Sequence, residues 1–143
     1  MDDSREVLVR SSGAGFKQEL QVGPHHAIGD EPVDVGGEDA GPNPYELLLE
    51  ALGSCTSMTI GLYARRHGWP LAGVSVRLKH RRVYAEDCAH CDKPGARLDQ
   101  IDREIELTGP LTDEQRARLM KIADQCPVHK TLTSKIDIRT KQL

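Results

Sequence analysis

Residues 43–67, NPYELLLEALGSCTSMTIGLYARRH, decide how the rest of the chain has to be arranged. Asn43 is a helix-capping residue. Pro44 suits the first helical position because its missing N–H has no intrahelical partner there, and Glu46 stands where its side chain reaches back to the cap's own N–H. From Leu47 onward the residues are apolar on nearly all sides, through Leu48, Leu49, Ala51, Leu52, Met58, Ile60 and Leu62. Arg65, Arg66 and His67 put positive charge on the last turn, and Gly68 and Pro70 stop it. A helix without a polar face belongs in an interior, so the reading over 44–67 is a central, buried helix. Cys55 sits about three turns in, too deep for the dipole of either helix end to stabilise a thiolate. On periodicity alone it is either core filler, as free cysteines often are, or a reagent activated by another segment.

The flanking segments alternate as strands do. Val7 and Val9 share one face of VLV; Phe16, Gln18, Leu20 and Val22 share one face of FKQELQV, with SSGAG as the turn between. Pro24 opens PHHAIGD, a third short strand, and the glycine- and acid-rich loop GDEPVDVGGEDAGP leads to the helix. Beyond it, GVSVRLKHRRVYAED (73–87) is a long strand and QIDREIELTG (100–109), with Ile101, Ile105 and Leu107 on one face, is its hairpin partner across the loop DCAHCDKPGARLD. Thr112 and Gln115 form a T-x-x-Q capping box for a second helix that runs to Cys126, where Pro127 breaks it. SKIDIRT (134–140) alternates as a last strand. The order β-β-(β)-α-β-β-α-β is an α+β fold of antiparallel sheets around the central helix and a second helix, one domain over residues 1–143.

Composition narrows the function. With 19 Lys+Arg against 22 Asp+Glu, a formal charge of −3 and no terminal run of one sign, nothing steers the chain to nucleic acid or anionic lipid. One Phe, one Trp and three Tyr are too few for a base-stacking platform. The N-terminal MDDSREVLVR lacks the basic and apolar regions of a signal peptide, and no segment approaches a transmembrane length, so the expected location is cytoplasmic.

In that reducing setting the four cysteines point to metal or redox chemistry rather than a disulfide framework. Cys126 stands at the cap of a turn through PVHKTL, where free N–H groups favour a thiolate and His129 and Lys130 follow. Cys88, His90 and Cys91 in D-C-A-H-C form half a zinc site, which His25 or His26 would have to help complete; the same cysteines also read as a surface dithiol or as ordinary loop thiols.

Taken together, D-E-P-V-D-V-G-G-E-D, then G-P-N-P-Y-E-L-L-L-E-A-L-G-S-C-T-S-M, then A-D-Q-C-P-V-H-K-T-L resemble the OsmC/Ohr family of osmotically induced and organic-hydroperoxide-resistance proteins, across most of the chain. The resemblance implies an intertwined homodimer with sites at the interface and an oxidative-stress role as a thiol peroxidase of organic hydroperoxides. It gives Cys55 the attacking position and Cys126 the resolving one, and it implies an external dithiol reductant, such as a lipoyl-bearing protein, with no cofactor required. The family's glutamate falls ten residues before the cysteine, which is Tyr45 here, so Glu46 and Glu50 are the nearest carboxylates; Arg10 and Lys17 are the nearest cations for its N-terminal arginine. The alternative reading is an OsmC-fold redox or small-ligand-binding protein without peroxidase activity, with a structural zinc at Cys88, His90 and Cys91.

Overall fold

A computed structural model describes residues 5–84 and 97–143. The elements run β1 (Val7–Ser11), β2 (Gln18–Val22), β3 (His25–Gly29), a 3-10 turn at Val33–Val35, α1 (Pro44–Arg66), β4 (Gly73–Tyr84), β5 (Arg97–Thr108), α2 (Asp113–Ala123) and α3 (Pro127–Leu132). The chain divides within α1 into two compact units, the first ending at Leu48 and the second running from Leu49 to Leu143.

In the first unit β1, β2 and β3 form the expected antiparallel meander, with Val9 opposite Leu20 and Leu20 opposite Ala27. Gly23 makes the β2–β3 turn with φ +54°, a backbone state that favours a residue without Cβ. The acidic loop that follows is organised by Asp30, whose nearly buried carboxylate accepts the N–H groups of Glu31 (2.8 Å), Ala40 (3.1 Å) and Glu38 (3.2 Å). The hydrogen bonds from Ala40 and Glu31, then that from Glu38 and the charge of Lys17, hold this carboxyl below its ordinary value against the opposing effect of burial. The loop delivers the chain to Asn43, which takes the Glu46 N–H on its side chain and gives its own N–H to Glu46, both at 2.8 Å. The expected helix start is thus a reciprocal cap.

In the second unit β4 and β5 pair over their full lengths, from Gly73 opposite Thr108 to Tyr84 opposite Arg97. One face of this ribbon carries Val74, Val76 and Leu78 against Leu107, Ile105 and Arg103. Helix α1 lies on it so closely that a Cβ at Gly53 would press into Leu78. Ile60 and Ala64 of α1, Leu107 of β5 and Leu119 and Ala123 of α2 make the core, ringed by Tyr63, Trp69, Leu71 and Ile105. The Thr112–Gln115 capping box is present, at 2.9 and 3.1 Å. Arg116 of α2 donates to the carbonyls of Leu107 (2.7 Å) and Gly109 (2.8 Å), tying the helix to the end of β5.

Three expectations are corrected. SKIDIRT is not a strand: residues 135–143 have no regular structure and Ile138 is 82% exposed, because alternation alone does not pair a backbone and no strand of the described residues takes this segment as a neighbour. The helix is not buried all round: Leu52, Gly53, Thr56, Ile60 and Ala64 are covered, while Met58 is 72% and Leu62 42% exposed. A segment does reach membrane-spanning length, since α1 is long and apolar enough by length and composition, the same composition that a core helix needs. Cys88, His90 and Cys91 lie outside the described residues.

Two outcomes are expected of the framework. Asp30→Asn removes a lone-pair site and the charge, so the Glu38 and Ala40 amides exchange with solvent faster by NMR. The folded carboxyl titrates below the unfolded one, so its stabilisation is present above the unfolded value and fades as pH falls through the folded value; the variant flattens that acid limb. Gly109 has φ +125°, and a Cβ there would collide with the Pro70 carbonyl oxygen, so Gly109→Ala lowers stability in chemical denaturation by more than about 2 kcal/mol.

Candidate thiol active site

Cys55 stands on the half-buried border of α1, one residue before Thr56 on the buried face. Cys126 follows α2 as the cap of α3, and its side chain is fully buried. Pro127 supplies the first helical residue, and the His129 N–H donates to Cys126 Sγ at 3.4 Å, as the Cys-Pro sequence predicts. The two thiols, far apart in sequence, come close enough to act on each other, and neither is in a disulfide.

The environment treats the two thiols differently. Burial pushes Cys55 up, and its hydrogen bond to Cys126 adds to that; the Val128 N–H and the Thr59 hydroxyl pull the other way and are outweighed. Burial acts on Cys126 in the same sense. There, however, the Cys55 thiol, the N–H groups of His129 and Val128 and the Thr56 hydroxyl all point at one sulfur and together bring it below the ordinary thiol value. The surroundings therefore favour the anion on Cys126 over the anion on Cys55. Cys126 is buried, and Cys55 is half-buried.

Around the pair the second unit supplies a polar strut. Arg103 of β5, its side chain 13% exposed, donates to Thr56 Oγ1 at 3.0 Å and to Asp124 Oδ1 at 2.9 Å. Thr56 also donates to the Leu52 carbonyl at 2.7 Å. His129 Nδ1 lies 3.9 Å from the same Asp124 oxygen. Arg103 and His129 line a cavity of about 400 Å³ with Leu52, Ile101 and Leu132 as apolar walls and Asp99 and Thr133 as further polar groups. Asp99 accepts from His80 at 2.8 Å, and that hydrogen bond, helped by the charges of His80 and Arg82, holds its carboxyl low.

Of the residues singled out in the sequence, the structure brings Cys55 and Cys126 together. Glu46 is spent on the Asn43 cap, and Glu50 is exposed, about 140° around α1 from Cys55 at 100° per residue. Arg10 stands on β1 opposite Glu19, and Lys17 pairs with Glu38 at 2.9 Å, both in the first unit. His25 and His26 are exposed on β3. Among the described residues no group of three His, Cys, Asp or Glu side chains is arranged to hold a metal ion. Sequence reasoning missed Thr56, Thr59, Asp124 and Arg103. Thr59 was legible as the residue one turn beyond Cys55 on the same helix face. Arg103 was legible too, as the charged residue that interrupts the inward row Ile101, Ile105, Leu107.

Comparison with solved structures gives the same fold. The chain is similar to a Psychrobacter arcticus protein assigned to an osmotic-stress and detoxification response, at 24% identity and TM-score 0.69, covering 92% of this chain and 90% of that one. It is similar to a Legionella pneumophila organic hydroperoxide resistance protein at 18% identity and TM-score 0.62, covering 92% of each chain. It also resembles an Elizabethkingia anophelis organic hydroperoxide resistance protein, at 16% identity and TM-score 0.63, over 96% of this chain and 94% of that one. No curated protein sequence matches this chain. The family model for OsmC-like proteins matches residues 36–141, a span that holds α1, the hairpin and both helices flanking Cys126, and the chain belongs to the OsmC-like protein family.

Proposed function

We propose that this protein is a thiol-dependent peroxidase that reduces organic hydroperoxides through Cys55 and Cys126. The observation that carries the reading is the approach of the two cysteines to each other, one half-exposed and one buried. Cys55 gives its proton to Cys126 and attacks the distal peroxide oxygen; the O–O bond breaks, the alkoxide takes a proton and leaves as the alcohol, and Cys55 becomes a sulfenic acid. Cys126, again a thiolate, attacks that sulfur and expels hydroxide, which is protonated to water, leaving the disulfide. An external dithiol restores the pair by exchange. The apolar walls Leu52, Ile101 and Leu132 beside His129 suit a hydroperoxide with an organic group better than hydrogen peroxide. The cycle needs a compartment that keeps dithiols reduced, as the cytoplasm does.

The reading includes a homodimer. Met58 and Leu62 form an apolar outer row on α1, and Met58 borders a cavity of about 430 Å³ with Trp69, Leu71 and Val74; a second copy would remove this surface from water.

Two measurements test these statements. In stopped-flow assays with tert-butyl hydroperoxide, Cys55→Ser abolishes peroxide consumption. Cys126→Ser gives a single slowed turnover and leaves sulfenic acid on Cys55, detected by dimedone labelling. The wild-type rate rises with pH and levels off below the ordinary thiol range, because the pair loses its first proton there. Normal turnover by Cys55→Ser would leave only the binding-protein reading. In light scattering the wild type has the mass of two chains at micromolar concentration and Met58→Glu/Leu62→Glu that of one; a monomeric wild type removes the dimer.

A further inference from the structure

Within one chain the C-terminal segment has the pattern of a strand and no strand to pair with. Ile136 and Ile138, 53% and 82% exposed, alternate with Lys135, Asp137, Arg139 and Lys141. Arg139 Nε donates to Asp137 Oδ2 at 2.9 Å, the contact that residues two apart make on one face of an extended backbone. The segment is therefore two-faced, with isoleucines on one side and three cations against one acid on the other.

Four strand edges have no strand neighbour among the described residues, the outer sides of β1, β3, β4 and β5. β1 and β3 have five residues each, fewer than the seven of SKIDIRT, and the loop residue Gly41 packs against the Ile28 carbonyl of β3. β4 and β5 have twelve residues each, and charge separates them. The solvent face of the ribbon sets Ser75, Arg77, Lys79 and Arg81 of β4 opposite Glu106, Glu104, Asp102 and Gln100 of β5, a basic row beside an acidic one. A cationic strand is repelled by the first and drawn to the second. Asp102 already pairs with Arg81 at 3.3 Å, whereas Glu104 and Glu106 make no ion pair among the described residues. The phase agrees as well. A strand that lays its cations beside these acids turns Ile136 and Ile138 to the inward row of Ile101, Ile105 and Leu107. Arg116 reaches only the Leu107 and Gly109 carbonyls, so the edge before them stays open.

We propose that residues 134–140 pair with the outer edge of β5 in a second copy of this chain, each copy giving one strand and receiving one. Thr133, at the root of the segment, lines the same cavity as Ile101 and Arg103, yet the segment leaves its own β5 edge empty. Reciprocal exchange fills both edges and closes at two chains, and main-chain hydrogen bonds supply the attachment while the charged rows choose the edge. The proposal rests on the homodimer reading above and adds to it a second surface, apart from the outer row of α1.

Two full-length variants with opposite faults test it. Glu104→Lys/Glu106→Lys reverses the receiving edge, and Lys135→Glu/Lys141→Glu reverses the donated strand. In light scattering against concentration, each alone is expected to dissociate at a concentration at least about tenfold higher than the wild type, because like charges then meet. Mixed one to one, the two are expected to regain the wild-type value, since each offers the other a complementary edge or strand; pairing within one chain would gain nothing from mixing. Hydrogen exchange read by mass spectrometry is expected to find residues 134–140 protected in the wild type and in the mixture, and unprotected in each variant alone. If the β5 variant fails to fold, the Lys135→Glu/Lys141→Glu arm and the wild-type exchange pattern still decide the matter. Variants that dimerise as the wild type does, a mixture of folded variants that recovers nothing, or an unprotected segment in a dimeric wild type overturns the strand exchange and leaves the homodimer standing. A dimer that survives Met58→Glu/Leu62→Glu but parts on charge reversal supports the exchange and removes the α1 surface. A monomeric wild type removes both.

Discussion

The second unit depends on covering one side of a long apolar helix. Helix α1 brings more hydrophobic surface than one antiparallel ribbon and one short helix can hide, so only the row Leu52, Gly53, Thr56, Ile60 and Ala64 is enclosed. Fully burying a side chain the size of Ile60 contributes about 1.5–3 kcal/mol, and this row commits the helix to one rotation about its axis. That rotation is what leaves Cys55 on the border between interior and solvent. A turn of one residue either way would bury the thiol or expose it outright.

From this placement the chemistry of the site follows. Thr56 is carried inward by the same rotation, and a hydroxyl in an interior has to be satisfied. It is satisfied twice, by the Leu52 carbonyl along the helix and by Arg103 across from β5. Arg103, largely but not fully covered, needs a counter-charge, and Asp124 supplies it at the end of α2, where the chain turns into the Cys126 cap. The polar links between α1, β5 and the α2–α3 corner are thus consequences of burying one threonine and one arginine beside an otherwise aliphatic core. The asymmetry of the thiols has the same origin. Both are desolvated, but the N–H groups at the start of α3 and the Thr56 hydroxyl converge on Cys126, while Cys55 has fewer donors to draw on.

Much of the framework was legible beforehand. The two capping boxes, Asn43 with Glu46 and Thr112 with Gln115, are local devices whose partners lie three residues apart, and both form. The β4–β5 pairing was legible because two long alternating runs separated by a stretch rich in turn residues have few other ways to satisfy their backbones; β5 begins three residues earlier than the hydrophobic pattern suggests, since Leu98 falls out of phase with the row Ile101, Ile105 and Leu107. The terminal SKIDIRT segment misled for the opposite reason. Its alternation is genuine, but a strand exists only where another strand offers an edge, and that is a property of the assembled chain. The helix misled in degree: an all-round apolar sequence says that water should be kept from every face, not that the same chain does so.

What the sequence by itself determined here is local and periodic: where helices start, where the chain turns, which residues share a face, and, through the spacing of the two cysteine motifs, which family the chain resembles. These rest on interactions between residues within about four positions of one another, or on a repeat of two or 3.6. Which charged group stands on the segments that carry the thiols was decided only in three dimensions. Carboxylates near Cys55 in sequence proved to be a helix cap and an exposed residue, while the cation of the site comes from a strand whose pattern it interrupts. Electrostatic partners act over distances of a few ångströms in space and are indifferent to separation along the chain, so periodicity marks Arg103 as out of place without naming its partner, and the packing of α1 on β5 had to exist before Arg103 had anything to hold.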